Sequence, residues 1–313
     1  MMKEIRTITL NPCFDHHYTV PDFAFEKENL ATGVLVEAGG KGVNTSRALT
    51  VNGVDNLAYL VVGDENGEAF LAEMKKVGIP NRHFMIPGRI RENITIHPTK
   101  GKETRVSLNT FRVPEEVLVE LETAILAEDP QNLLVSFSGR IPQGLTKERV
   151  KEFLKKLTHG GAKVVIDSAS FTPDDLCELH PWFIKPNEQE IEAFLGRIPK
   201  NLHEAARDAK ELVKNGVSES VMISLGGDGA AFSDGESTYL LQVPKLEHPA
   251  STIGAGDSTI AGLLAGTKEG RPQEETLRLA VAFGTAACMT EGTLPPRPED
   301  VKKVFAQTSA ERL

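Results

Sequence analysis

The sequence is poor in cysteine, with three residues, Cys13, Cys177 and Cys288, among 313. These cysteines are far apart, and none belongs to a CxxC pair or to a cluster of Cys and His. Disulfide frameworks and structural zinc sites are built from such groupings, so this spacing argues against both. Reduced thiols are typical of cytosolic proteins, and we therefore expect a cytoplasmic protein.

The sequence also lacks long hydrophobic runs and an excess of positive charge. No stretch of about 18 apolar residues occurs, and the opening "MMKEIRTITL" lacks the apolar core of a signal peptide, so we expect no membrane association. The formal net charge is -9 and the pI is about 5.5. Nucleic-acid binding normally needs a basic face, so we expect no nucleic-acid partner. An anionic small substrate remains compatible, because a few Lys and Arg suffice for a local basic pocket.

Short apolar runs alternate with amphipathic helical patterns along most of the chain. "LAYLVV" over 57–62, "NLLVSF" over 132–137 and "AKVVID" ending at Asp167 predict buried strands, each followed by a helical pattern. This alternation is typical of βαβ units, and it predicts an α/β fold with a mainly parallel sheet. Such sheets bind ligands beyond the carboxyl ends of their strands.

Two segments, 11–38 and 89–112, interrupt this alternation. They contain runs such as "NITIHPT" and "TRVSLNTF", which predict antiparallel strands. We interpret them as a small lid inserted beside the main sheet. Because no linker rich in Pro, Gly or Ser divides the chain, we expect one domain over 1–313.

A first glycine-rich segment is "AGGKGVNTSRAL", residues 38–49. Its glycines allow positive φ and close approach of a ligand, and the helix that follows begins with unpaired N–H groups that favour anions. A tight turn before a helix would use the glycines equally well, but Lys41 and Asn44 favour ligand binding. The segment matches neither GxxxxGK[ST] nor GxGxxG, which argues against a P-loop kinase and a dinucleotide-dependent dehydrogenase.

A second glycine-rich segment is "STIGAGDSTIAG", residues 251–262. The spacing of Ile260, Leu263 and Leu264 predicts the buried face of a helix, which puts Asp257 in its first turn. Asp257 is then either a helix N-cap or a general base beside an anion hole of backbone N–H groups. A base aligned with such an anion hole is what phosphoryl transfer to a hydroxyl requires.

Six segments follow one another in the order of a known set of motifs: "TLNPCFD", "GGKGVN", "SGRIPQG", "KPNEQE", "SLGGDGA" and "STIGAGD". Together they resemble the ribokinase-like carbohydrate kinases, known as the PfkB family. The chain is most similar to the branch that contains 1-phosphofructokinases and tagatose-6-phosphate kinases. The resemblance implies a three-layer αβα fold with a β lid over the sugar, and it allows a homodimer.

The resemblance also implies roles for the matching positions. Asp257 would be the general base, and the anion hole would be formed by Gly254, Ala255 and Gly256. The ATP site would be lined by Ser224, Leu225, Gly226, Gly227, Asp228 and Gly229. The sugar would be held by Asp15, Gly39, Gly40, Asn44, Asn93 and Ser138. The sugar's own phosphate would be contacted by Lys41, Arg91 and Arg140. Asn187 and Glu190 would organise Mg²⁺ through water and the ATP phosphates, in keeping with the preference of this ion for oxygen ligands and retained waters.

Several positions depart from the family pattern. Ser251 replaces the usual first Asp of the last motif, which favours the 1-phosphofructokinase branch, and the Arg usual before the first glycine motif is missing. Arg140 replaces a Ser, and it either contacts a phosphate or faces solvent. We interpret the pair His16–His17 as polar residues of a lid strand and not as a metal site, and Arg105 as solvated surface.

The implied activity is ATP-dependent phosphorylation of a ketohexose phosphate. Fructose 1-phosphate, converted to fructose 1,6-bisphosphate, is the leading substrate, and tagatose 6-phosphate is the alternative. A non-catalytic sensor of sugar phosphates or nucleotides on the same fold is a hypothesis of a different class, since fold alone does not establish activity.

Overall fold

The computed structural model describes residues 3–99 and 103–313, in which strands and helices alternate along most of the chain. The strands are β1 (Glu4–Thr9), β2 (Cys13–Thr19), β3 (Gly33–Gly39), β4 (Asn56–Gly63), β5 (Asn81–Ile86), β6 (Arg91–His97), β7 (Thr104–Ser107), β8 (Leu133–Ser138), β9 (Lys163–Asp167), β10 (Phe183–Ile184), β11 (Val221–Ser224), β12 (Ala230–Ser233), β13 (Thr238–Gln242) and β14 (Ser309–Arg312). The helices are α1 (Lys41–Val51), α2 (Gly67–Val77), α3 (Glu115–Leu126), α4 (Lys147–His159), α5 (Pro173–Leu179), α6 (Glu188–Leu195), α7 (Leu202–Lys214), α8 (Ala255–Lys268), α9 (Gln273–Ala287) and α10 (Pro298–Phe305).

The main sheet has ten strands in the order β14-β13-β12-β11-β10-β9-β8-β1-β4-β5. From β11 to β5 every neighbouring pair is parallel, as the alternation of strands and helices predicts. The edge formed by β12, β13 and β14 is antiparallel, and the sequence analysis did not identify it.

Helices cover both faces of the main sheet, because successive strand residues point to opposite sides. In β8, Val135 packs into one apolar cluster with residues of α2 to α7, and Leu134 packs into the other with residues of α1, α8, α9 and α10. The result is three layers. No helix in the described ranges is long and apolar enough to cross a bilayer.

The second sheet has four strands in the order β3-β2-β6-β7 and comes from the two segments assigned to a lid. We call it the lid sheet. The expectation of antiparallel strands is wrong for one pair: β2 and β6 are parallel, although β2–β3 and β6–β7 are antiparallel. The chain passes through β3, α1, β4, α2 and β5 between β2 and β6, so no hairpin imposes an antiparallel arrangement on them.

Register places the polar residues of the lid sheet on one face. Asp15 pairs with Asn93 across β2 and β6, and Thr95 pairs with Arg105 across β6 and β7. Because side chains alternate along a strand, Asp15, Asn93 and Arg105 lie on the same face. Asp15 and Asn93 are buried there, whereas the opposite face carries exposed apolar side chains such as Val34 and Val106.

Candidate active site

Helix α8 begins at the segment "GAGD". Gly254 is the N-cap with φ 77, a left-handed conformation that glycine adopts without steric cost, and no side chain caps the helix. Asp257 lies in the first turn and is not the N-cap, which removes the structural alternative left open above. The N–H of Ala255 donates to the Thr252 carbonyl oxygen at 3.5 Å, whereas the N–H groups of Gly256 and Asp257 have no acceptor within the described ranges and are free to bind an anion.

Asp257 is buried, with 6% of its surface exposed. Its Oδ2 accepts a hydrogen bond from Asn44 Nδ2 at 2.8 Å, and its backbone carbonyl accepts one from Thr45 Oγ1 at 3.2 Å. Burial raises the pKa of Asp257 to about 6, Asp167 acts in the same direction, and Lys41 opposes the increase. A carboxylate with a pKa in this range is suited to general-base catalysis near neutral pH.

Lys41, in the first turn of α1, lies among carboxylates. Its Nζ is 3.1 Å from Oδ2 of Asp167, the last residue of β9, and 3.7 Å from Oε1 of Glu190. Asp167 is buried, and the ammonium groups of Lys41 and Lys185 lower its pKa although burial alone would raise it. The structure thus places the Lys41 ammonium against Asp167 and Glu190, close enough to Asp257 to interact with it electrostatically.

Lys185 follows the short strand β10 and is 5% exposed. Its Nζ lies 3.0 Å from the point that a Cβ at Gly256 would occupy, which puts the ammonium beside the start of α8. Within residues 3–99 and 103–313 it has no ion-pair or hydrogen-bond partner. A buried, unpartnered cation next to free helix N–H groups forms a site for a strongly charged anion.

A cavity of about 570 Å³ adjoins the same helix start. It extends from Gly256 and Lys185 to the turn after β11, where Ser224, Gly226, Gly227 and Gly229 line it. An apolar wall at the other side contains Val243, Leu246 and Val281. Of the remaining residues predicted for the ATP site, Leu225 is buried in the core and Asp228 is exposed.

Asp15 lies on the lid sheet, buried with an exposed fraction of 3%. Its Oδ1 accepts hydrogen bonds from Asn93 Nδ2 at 2.8 Å and from Arg105 Nη2 at 3.1 Å. A Cβ at Gly39 would overlap Oδ2 of Asp15 and would lie 2.9 Å from its Cγ. Any side chain at position 39 would therefore displace Oδ2 of Asp15.

Arg91 is bonded to neutral groups. Its Nε donates to Asn11 Oδ1 at 2.7 Å and its Nη1 donates to Asn93 Oδ1 at 2.8 Å. No carboxylate in the described part of the chain pairs with Arg91. Together, Arg91 and Arg105 bring two positive charges to the single negative charge of Asp15, so this end of the lid sheet has an uncompensated positive charge.

Other predicted substrate residues lie at the edges of this region. Gly40, with φ 109, is the N-cap of α1. Ser138 ends β8 and is buried, with its Oγ 2.9 Å from Ser136 Oγ. Arg140 is exposed and makes no side-chain hydrogen bond within the described ranges.

Asn187 and Glu190 form a capping box at the start of α6. Asn187 Oδ1 accepts from the N–H groups of Gln189 and Glu190, and Glu190 Oε2 accepts from the N–H of Asn187. Oε1 of Glu190 is left with Lys41 as its neighbour. Among the described residues no group of three His, Cys, Asp or Glu side chains is arranged to hold a metal ion, the His16–His17 pair included. A metal here would depend on water and phosphate oxygens.

Three residues of this region escaped the sequence analysis: Asp167, Lys185 and Arg105. Asp167 is the last residue of β9, and Lys185 directly follows β10. Ligands of parallel sheets bind at this end of the strands, so the position alone could have identified both residues. The interpretation of Arg105 as solvated surface holds for its 39% exposed side chain but misses its place on the lid sheet, where its guanidinium is bonded to the buried Asp15. The pairing of β6 with β2 and β7 puts Arg105 on the same face of the lid sheet as Asp15. The alternation in "TRVS" alone does not identify that face.

Comparison with known proteins identifies the family of the chain. The sequence profile of the pfkB family carbohydrate kinase matches residues 9–300. The 1-phosphofructokinase of Borreliella burgdorferi is 32% identical over 308 residues, which cover 98% of each chain. The 1-phosphofructokinase of Escherichia coli is 29% identical over 287 residues, 92% of this chain and 91% of that one.

Solved structures confirm the expected three-layer fold. Phosphofructokinase-2 from Escherichia coli, crystallised in complex with substrates and products, superimposes with a TM-score of 0.89 at 26% identity over 97% of this chain and 99% of that one. The tetrameric inhibited form of the same enzyme gives a TM-score of 0.87 at 25% identity, over 98% and 99% of the two chains. The chain belongs to the pfkB family of carbohydrate kinases.

Proposed function

We propose that this protein transfers the γ-phosphoryl group of ATP to a hydroxyl of a ketohexose phosphate, and that the substrate is fructose 1-phosphate. The observation that carries the proposal is the position of Asp257. This buried carboxylate lies at an uncapped helix start, beside the unpartnered cation of Lys185 and next to a cavity large enough for a nucleotide. The relatives named above are 1-phosphofructokinases, which supports the choice of substrate.

In this reaction the C6 hydroxyl oxygen attacks the γ-phosphorus and the bond from phosphorus to the ADP oxygen breaks. The hydroxyl proton moves to Asp257. Asn44 donates to Oδ2 of Asp257, which fixes the carboxylate and leaves Oδ1 for the hydroxyl. Oδ1 of Asn44 is itself buried and unpaired, and it is therefore a suitable acceptor for another sugar hydroxyl.

Charge on the transferring group is stabilised by the positive groups around Asp257. The N–H groups at the start of α8, the ammonium of Lys185 and the ammonium of Lys41 supply this positive charge, since both lysines interact electrostatically with Asp257. We therefore assign Lys41 to the transferring phosphoryl group and not to the phosphate that the sugar already carries. Phosphoryl transfer depends mainly on such positioning and electrostatic stabilisation.

Mg²⁺ fits this site as a companion of ATP. Bound to ATP, it would neutralise part of the phosphate charge. Glu190 would hold it through water, since its Oε1 is an oxygen donor that no backbone group occupies. Asn187 would act on the ion through Glu190, because both its carbonyl lone pairs are engaged in capping α6.

The phosphate of the sugar would bind at the end of the lid sheet that carries Arg91 and Arg105. The planar guanidinium suits bidentate contact to a phosphate, and Asp15 offsets only one of the two charges. Oδ2 of Asp15 faces Gly39 and is available to a sugar hydroxyl.

The test is an ADP-release assay with MgATP, in which kcat/KM is compared for fructose 1-phosphate, tagatose 6-phosphate, fructose 6-phosphate and fructose. The proposal predicts a clear preference for fructose 1-phosphate. A preference for tagatose 6-phosphate would keep the chemistry and change the substrate. Nucleotide binding without turnover of any sugar would refute the proposed activity and favour the sensor hypothesis.

We further propose that the protein forms a homodimer through the outer face of the lid sheet. Val34 and Val106 are 61% and 50% exposed on this face, and Phe25 and Leu30 of the loop between β2 and β3 are 82% and 76% exposed. Monomeric proteins rarely expose such a patch, and a second copy would cover it. Light scattering coupled to size-exclusion chromatography should give twice the mass of one chain, 34.1 kDa. A monomeric mass would refute this assembly.

A further inference from the structure

Lys41 has three carboxylates around it. Asp167 is the nearest, at 3.1 Å, and Glu190 is at 3.7 Å. Asp257 is close enough to interact electrostatically with the same ammonium but forms no ion pair with it within the described residues. Since Lys41 is on a flexible four-carbon stem, its position among the three depends on which carboxylate holds it.

Asp167 is well placed to decide that position. It is the last residue of β9, so the sheet fixes its backbone, and its side chain is 3% exposed. In contrast, 37% of the Lys41 side chain is exposed. The buried carboxylate at the end of β9 therefore holds the ammonium of the longer, partly exposed Lys41 side chain.

We propose that Asp167 is a positioning residue for phosphoryl transfer: it holds the Lys41 ammonium away from Asp257, so that Asp257 stays free to accept the hydroxyl proton and Lys41 stays available to the transferring phosphoryl group. This inference rests on the function proposed above. Asp167 itself contacts neither reactant and acts through Lys41.

The electrostatics of Asp257 agree with this arrangement. The groups that face it are Lys41 and Asn44 from α1, Asp167 from β9 and Lys185 from the segment after β10, with Glu190 of α6 behind Lys41. Burial raises the pKa of Asp257, Lys41 lowers it, and Asp167 raises it. A direct ion pair with Lys41 would make Asp257 a weaker base, because an adjacent cation stabilises the ionised carboxylate.

The test is the pH profile of kcat/KM for the sugar phosphate in Asp167→Asn, which keeps the shape of the side chain and removes its charge. Two effects then act in the same direction on Asp257: the negative charge of Asp167 is gone, and Lys41 is free to move toward Asp257. We expect kcat to fall and the acid limb of the profile to move to lower pH by about one unit or more. Loss of the Asp167 charge moves the limb in this direction by itself, so the part of the shift that depends on Lys41 is measured by repeating the substitution in the Lys41→Met background.

Lys41→Met supplies a second, independent variant. Removal of this cation should move the acid limb to higher pH, opposite to the effect of Asp167→Asn. In the double variant, loss of Asp167 should lower kcat little beyond Lys41→Met alone, and it should move the acid limb less than it does when Lys41 is present, because only the direct effect of the Asp167 charge then remains. Ser168→Ala is the matched control, since Ser168 is the next residue along the chain, carries no charge, and lines with Asp167 a second cavity of about 210 Å³. It should keep the wild-type profile.

The inference is refuted if the acid limb of Asp167→Asn is unchanged or moves to higher pH, or if the two substitutions are additive in the double variant. Thermal melting and binding of a non-hydrolysable ATP analogue report whether each variant is folded. If Asp167→Asn does not fold, Asp167→Glu replaces it: this variant keeps the charge but moves the carboxylate and with it the Lys41 ammonium, so kcat should fall, and a wild-type kcat would refute the inference. Failure of the wild-type protein to phosphorylate any sugar phosphate would instead refute the proposed function, so the two failures are distinguishable.

Discussion

Gly39 gives the sharpest prediction for the sugar site. The residue ends β3 without a positive φ, so its backbone would accept alanine. A Cβ at this position would overlap Oδ2 of Asp15 and lie 2.9 Å from Cγ. The carboxylate must then turn, and Oδ2 leaves the place from which it would accept a sugar hydroxyl.

The size of the effect follows from the bond that is lost. A hydrogen bond to a charged group contributes about 1.5–3 kcal/mol, which corresponds to a loss of roughly 10- to 150-fold in kcat/KM. We expect Gly39→Ala to lower kcat/KM for fructose 1-phosphate by this amount while the KM for ATP stays near the wild-type value.

Steady-state kinetics with each substrate varied in turn measure this loss. Gly33→Ala is the matched control, because it is on the same strand and its Cβ would meet Thr19 Oγ1 at an ordinary 3.5 Å. If Gly39→Ala retained wild-type kcat/KM for the sugar, Asp15 would not be the hydroxyl acceptor that the site geometry suggests.

Three further predictions concern the base, the phosphate and the helix packing. Burial raises the pKa of Asp257 to about 6, and only the ionised carboxylate accepts a proton. We therefore expect kcat/KM to fall about tenfold per pH unit below this pKa and to be independent of pH just above it. Arg105→Gln should raise the KM for fructose 1-phosphate more than the KM for unphosphorylated fructose, and equal effects on both would assign Arg105 to holding Asp15 alone. Gly262→Ala would put a Cβ 2.7 Å from the Leu279 carbonyl oxygen and should lower the free energy of unfolding by about 1–3 kcal/mol in chemical denaturation. Gly67→Ala, whose Cβ would be 3.4 Å from Met85 Sδ, should be neutral or stabilising by comparison.

Local sequence patterns predicted the elements of the site that are contiguous in the chain. The spacing of Ile260, Leu263 and Leu264 predicted α8 and put Asp257 in its first turn, and both hold in the structure. The helix after the first glycine-rich segment and the mainly parallel sheet were predicted in the same way. These features follow from hydrophobic periodicity and from glycine conformations, which are properties of short segments.

The contacts between distant segments were not predictable in this way. Lys41 meets Asp167 and Glu190 because β9 ends, and α1 and α6 begin, at the same edge of the sheet. Nothing in the alternation of "TRVS" identifies Asp15 as the partner of Arg105, since the partner depends on the pairing of β6 with both β2 and β7. The same ambiguity led to the expectation that β2 and β6 are antiparallel.

The central claim is that Asp257 serves as the base in phosphoryl transfer to a ketohexose phosphate. ³¹P NMR of a reaction with MgATP and fructose 1-phosphate tests it most directly, because it identifies the product and reports the rate. We predict that the wild-type protein forms fructose 1,6-bisphosphate and ADP in equal amounts, and that Asp257→Asn, still folded and still binding ATP, is slower by about 100-fold or more. Formation of the bisphosphate at the wild-type rate by Asp257→Asn, or release of ADP without a new sugar phosphate, would contradict the claim.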